Sequence, residues 1–261
     1  MEPERREKMN KNSKFNVRKL TIIAILGAIS AVFGMTPLGF IPVGPTRATI
    51  MHIPVIIGAI MEGPVVGGCV GLIFGLFSIF QAITNPTPVS FVFLNPLVSI
   101  LPRVLIGIFT YYVYNALRKI GNKKTMGILY VLWILIILYL GNGIYIDIVE
   151  KKPIYLLLTN VALIILTLIL AYFTHKNLKR SSLDIIISTI IGTLTNTVGV
   201  LIMIYFFYGE KFVEALGQDI SIARKVIFGI GITNGIPEII IAIIIVTVVV
   251  GALKKETNDR R

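Results

Sequence analysis

The 261-residue chain is poor in the groups that carry most enzyme chemistry. Its single cysteine, Cys69, excludes an internal disulfide and a cysteine-ligated metal cluster. Histidines number two, and His52 has no acidic or cysteine partner nearby in the sequence. There are 13 acidic residues against 25 basic ones, and charged residues make up 15% of the chain. Soluble domains carry about 25%. No G-x-x-x-x-G-K-[ST] phosphate loop is present, so ATP hydrolysis by that route is excluded. No H-E-x-x-H, no acidic pair at metal-binding spacing and no Ser–His–Asp constellation is found. The expectation is a transport protein that is not an enzyme and needs no cofactor or metal. The first 19 residues are polar and lack an apolar core, so no cleavable signal peptide is expected.

What the chain has in abundance is uninterrupted apolar sequence, 55% of all residues. Runs of about 18 or more apolar residues read as bilayer spans. The runs are too uniform for the alternating pattern of a membrane β-barrel. The fold class is therefore all-α, a polytopic membrane helix bundle. Eight spans are predicted: Leu20–Met35, Ala48–Met61, Val65–Ile83, Pro96–Leu117, Thr125–Ile146, Ile154–Thr174, Leu183–Tyr208 and Val226–Leu253. The second is short, roughly 21 Å of helix against a hydrocarbon core of ~30 Å.

The net charge of +12 has a topological origin. Of the 25 basic residues, 18 fall before span one or after spans four, six and eight. Cytoplasmic loops are enriched in Lys and Arg. Both termini are therefore expected in the cytoplasm, with an even number of spans and no role in nucleic acid binding. Residues 1–19 and 254–261 would be basic cytoplasmic tails, near anionic lipid. Spans five and six, roughly residues 121–180, are plain Leu/Ile-rich sequence with no buried charge expected. They read as a hairpin added to the bundle without inverting spans seven and eight.

Polar groups at membrane depth are the better functional signal, because such residues face cavities or each other. Arg103 lies ~10 Å from the outer end of span four, and Asn196 and Glu238 each lie ~18 Å from the outer ends of spans seven and eight. Asn234 sits one turn before Glu238, and Thr195 flanks Asn196. These groups are expected to meet in the outer half of the membrane. One outcome is a structural Arg103–Glu238 pair. The other is a pocket for a small polar ligand, in which Arg103 grips a carboxylate in two-point geometry. Gly235 and Pro237 predict a break in span eight at that depth. Arg47 and His52, in "PTRATIMHIPVIIGAI", sit at the pocket mouth. Arg47 could instead snorkel to headgroups, and His52 could instead be a hydrogen-bonded packing residue that fixes the short second helix.

Gly67, Gly71 and Gly75 recur every fourth residue in span three, and Ala24 and Ala28 do so in span one. Small residues at this spacing allow close helix approach. The partner is either another helix of the same chain or another membrane subunit.

The stretch "GFIPVGPTRATIMHIPVIIGAIMEGPVVGGCVGLIFGLFS", with "PRVLIG" and "GTLTNT", resembles the substrate-binding S components of energy-coupling factor vitamin transporters, and within them the pantothenate-type subfamily. The resemblance covers spans one to four and seven to eight. It implies a six-helix core, here residues 20–120 and 181–253, interrupted by the 121–180 hairpin. It implies capture of a vitamin from outside a cell membrane, with pantothenate the leading cargo and cobalamin-like or folate-like cargo as alternatives. It also implies a transmembrane coupling subunit and two cytoplasmic ATPases, with the first three helices docking through Ala24, Ala28, Gly67, Gly71 and Gly75. The loop before span two would then cover the vitamin site, with Arg47 as a lid cation. The competing expectation is an autonomous secondary transporter that uses Glu238 as a proton site.

Overall fold

The computed structural model describes residues 17–36, 39–43, 46–120, 122–151, 153–177 and 180–259. The expected basic tails lie largely outside these residues. Eight helices follow one another: α1 (Val17–Met35), α2 (Ile53–Glu62), α3 (Pro64–Thr84), α4 (Leu101–Lys119), α5 (Asn122–Val149), α6 (Ile154–Asn177), α7 (Arg180–Ala215) and α8 (Ala223–Asp259). A single helical turn, Pro96–Ser99, precedes α4. Among the described residues, seven helical segments are long and apolar enough to cross a membrane, and α2 is the short exception. The chain is a polytopic helical bundle.

The second span differs from the sequence expectation. Ala48 and Thr49 are not helical. They belong to a β-hairpin in which β1 (Phe40–Val43) pairs antiparallel with β2 (Thr46–Thr49). The lengths show where this hairpin sits. The 19 residues of α1 make about 28 Å of helix, and the 10 of α2 make about 15 Å. Arg18, at the start of α1, bonds Glu62, at the end of α2, across 2.8 Å. The start of α2 is therefore recessed well below the far end of α1. Ser30 confirms the level, because its hydroxyl donates to the Met51 carbonyl (3.1 Å). Strand and turn backbone fill the remaining depth. Irregular backbone at such depth persists only inside protein or along a cavity.

The glycine face of α3 packs inside the chain. A Cβ on Gly71 would collide with the carbonyl oxygen of Arg103, and one on Gly75 would lie 2.7 Å from Ile100 Cα. Gly67 sits as tightly against Ala59 and Gly107. Gly67, Gly71 and Gly75 are buried against α2, α4 and the turn before α4, so the surface expected for a partner is spent within the chain. Ala24 and Ala28 are exposed on α1.

α8 runs unbroken through Gly235 and Pro237, contrary to the predicted break. Thr49 and Thr197 take up the polar group at that level. The α5–α6 hairpin attaches through both helices, α5 against α7 and α6 against α8, and Leu129, Trp133 and Leu140 of α5 share one apolar cluster with Leu183, Ile186 and Ile190 of α7 and Ile239 and Ile243 of α8. It also holds a buried acid where none was expected. α5 continues past Ile146, and the Asp147 carboxylate accepts from Asn160 Nδ2 on α6 (2.7 Å).

Gly71→Ala should lower stability in detergent by about 1–3 kcal/mol through overpacking. Gly68→Ala, whose Cβ would meet nothing closer than Val104 Cγ1 at 3.8 Å, should be neutral or mildly stabilising, since Ala outranks Gly in helices. Thermal melts of both variants check the contrast, and equal melting temperatures would contradict the close α3–α4 approach.

Candidate functional site

A cavity of about 490 Å³ lies between α3, α4, α7, the β-hairpin and the 87–93 connection. α3 supplies Phe74, Ser78, Gln81 and Ala82, with Asn85 as its C-cap. The connection adds Thr87, Val89, Ser90 and Phe93, α4 adds Arg103, α7 adds Asn196, and Thr49 and Met51 close it from the hairpin side. No acidic side chain is among these residues.

Arg103 is 6% exposed. The chain holds it by one backbone bond, Nη1 to the Val98 carbonyl (2.6 Å), with Phe74 and Phe93 rings 5.3 and 5.5 Å from the guanidinium carbon. Its Nε has no hydrogen-bond partner, and no carboxylate lies within ion-pair distance of it among the described residues. Aromatic faces stabilise a cation without neutralising it. Asn196 is equally buried, and its Oδ1 is an unpartnered acceptor in the same wall. The site therefore presents a cation with no direct ion-pair partner among the described residues, an acceptor lacking its donor, and neutral hydroxyls and amides over an apolar floor.

Glu238 stands outside this wall and does not bond Arg103. Its Oε1 accepts from the Thr49 amide (2.8 Å) and the Thr49 hydroxyl (3.0 Å), and its Oε2 accepts from Thr197 (2.9 Å). Three donors converge on an acceptor, the pattern that suits a carboxylate. The structural Arg103–Glu238 pair, one of the two outcomes considered, is not formed: both Glu238 oxygens are engaged by Thr49 and Thr197.

Of the other expected site residues, His52, Thr195 and Asn234 do not line the cavity. His52 is fully buried rather than half-buried at a mouth. It precedes α2 and bonds Thr193 of α7 through Nε2 (3.1 Å), fixing the start of the short helix. Thr195 turns its hydroxyl back to the Ile191 carbonyl (2.7 Å). Asn234 is half-buried and outside the wall, with Oδ1 unpartnered among the described residues. Arg47 lies in β2 opposite Pro42, and its side chain lies outside the described residues. Among the described residues, no three His, Cys, Asp or Glu side chains gather in a way that could hold a metal ion.

Known proteins share this sequence pattern. The family model described as "ECF transporter, substrate-specific component" matches residues 18–156 and, in an overlapping stretch, 125–250. The chain belongs to this family. Among its relatives is the pantothenic acid transporter PanT of Lactococcus lactis subsp. cremoris (strain MG1363). That protein is 28% identical over 265 residues, covering 96% of this chain and 100% of the relative. The pantothenate transporter PanT of Leuconostoc mesenteroides subsp. mesenteroides is 32% identical over 111 residues, covering 41% of this chain and 53% of the relative.

For an S component, the wall residues that sequence reasoning overlooked are instructive. Ser78, Gln81 and Asn85 fall at positions i, i+3 and i+7, one polar stripe at the end of an apolar helix. That stripe was present in the sequence but lay behind the more conspicuous glycine repeat. Gln81 also reaches α1, where its Nε2 donates to the Gly34 carbonyl (2.7 Å). Phe74 and Phe93 carried no signal, since aromatics in spans are common.

The position of His52 gives a test. Thr193→Val should strand the buried imidazole and cost about 1–3 kcal/mol of stability in detergent melts. A variant as stable as the parent would contradict the structural role of His52.

Proposed function

We propose that this S component captures pantothenate from outside the cell membrane. It passes the cargo to a transmembrane coupling subunit powered by two cytoplasmic ATPases. The observation that carries the reading is the cavity lined without acidic residues, with the buried Arg103 at its wall and no carboxylate within ion-pair distance of it among the described residues. Such a site favours a small anion. Pantothenate has a carboxylate for Arg103, hydroxyl and amide donors for the unpartnered Asn196 Oδ1, and a gem-dimethyl group for the apolar floor. The names of the two relatives support the same cargo. The volume of about 490 Å³ lies in the lower part of the roughly 300–1,000 Å³ range of ligand pockets. A corrinoid is too large for it.

Both termini lie in the cytoplasm in this reading, which places the cavity toward the outside. The exposed Ala24 and Ala28 are the small residues left on α1 for a coupling partner. The α5–α6 hairpin is an insertion into a six-helix core. At 53% coverage by 111 residues, the Leuconostoc relative is shorter than this chain by about fifty residues, the length of one hairpin of ~20–25-residue spans. The proton-coupled alternative draws no support from Glu238, which is engaged in three hydrogen bonds away from the cavity.

Titration of pantothenate into the detergent-purified protein tests this reading. Arg103→Ala should weaken binding about 100-fold, the scale of a lost charge-assisted pair. Asn196→Ala should cost about tenfold. An Arg103→Ala variant that binds as tightly as the parent sinks the carboxylate assignment. A parent that binds no pantothenate sinks the cargo.

A further inference from the structure

We infer that Glu238 is the latch of a lid: it holds the β-hairpin over the cavity, and through Thr49 it governs how long cargo stays. Four observations converge. Glu238 is 5% exposed and belongs to α8, 189 residues along the chain from the Thr49 it bonds. It takes both donors that Thr49 offers, backbone and hydroxyl, on one oxygen. Its other oxygen is anchored to Thr197 on α7, so the latch is tied to two helices. Thr49 itself lines the cavity, so a ligand at the wall and the latch share one residue.

β2 lies against α8, the helix that carries Glu238. Thr49 ends β2, and Ile50 returns its amide to the Gly39 carbonyl within the same hairpin (3.1 Å). The Thr49 amide, pointing away from the β1–β2 ladder, would otherwise be an unsatisfied donor at membrane depth. Glu238 satisfies it. The carboxylate is therefore a positioning residue that acts on cargo through Thr49, distinct from Arg103 and Asn196, which face the cavity.

The latch rests on the cavity being the cargo site, and its test separates the two ideas. Hydrogen exchange on the full-length protein without cargo is read by mass spectrometry for peptides over residues 39–50 and over α3 and α7. Glu238→Ala should speed exchange at 49–50 by about tenfold or more, the effect of a lost buried hydrogen bond, and leave α3 and α7 unchanged. Glu238→Gln keeps a carbonyl oxygen for Thr49 and an amide that can donate to Thr197, so it should stay near the parent. Thr197→Val, a milder change that keeps Glu238, should loosen the hairpin by a few-fold. In the presence of pantothenate, the dissociation rate should rise in the order Gln, Val, Ala. If hairpin exchange in both Glu238→Ala and Thr197→Val matches the parent, or speeds up equally in every helix, the latch is wrong. If the parent protein fails to bind pantothenate, the cargo reading falls while the exchange data still decide the latch.

Discussion

The bundle depends on a carboxylate that satisfies a strand. A chain that enters the depth of a membrane as anything other than helix must find partners for its backbone from within the protein. Here the segment between α1 and α2 does so as a hairpin, and the donor its ladder leaves over, the Thr49 amide, is met by Glu238. Burying a carboxylate is costly unless donors surround it. Three donors do, and the result is a roof where a full-length second helix would otherwise have filled the space. The shortness of α2 and the existence of the cavity are thus one fact seen from two sides.

The same bundle treats its buried cation in the opposite way. Arg103 has one carbonyl and two aromatic faces, and Glu238 is kept from bonding it. Had the two paired, each would have neutralised the other, and the cavity would offer an anion nothing more than neutral dipoles. A cation left incompletely compensated at 6% exposure is a standing electrostatic demand that a bound carboxylate meets. The glycines of α3 make this placement possible. Any side chain at Gly71 would collide with the Arg103 carbonyl and push α4, with its guanidinium, away from the wall. Close packing and ligand chemistry are therefore coupled at one contact between two helices.

Much of this was legible from residues alone. Hydropathy fixed the helical class and the number of apolar segments, and the depth argument found Arg103 and Asn196, which do share a wall. It failed where depth was taken for proximity. Asn234 and Thr195 sit at the right level and face elsewhere, because depth along a helix says nothing of its rotation about the axis. His52 was ambiguous for a related reason. An imidazole beside an apolar run suits a pocket mouth or a buried bond, and only the approach of Thr193 from α7 decides. The hairpin was hidden because "GFIPVGPTRATI" is short, and the partner of the donor its ladder leaves over, Glu238, is far away in sequence. Asp147 escaped because the apolar count stopped at Ile146, one residue short of it, while the helix ran on to Val149.

The α5–α6 hairpin obeys the same logic of faces. No residue of the cavity wall comes from it. α5 contributes apolar side chains to the back of α7, and α6 touches α8 while leaving nearly all of its apolar window outside the bundle, where lipid suits it. Asp147 and Asn160 close the hairpin on itself, so its one buried acid is satisfied without drawing on the core. Arg103, Asn196 and Glu238 all lie on helices outside this pair of spans. The pair enters and leaves on the same side, which preserves the direction of α7 and α8. Its influence on the site is confined to how firmly α7 and α8, the two helices that carry Thr197 and Glu238, are held from behind.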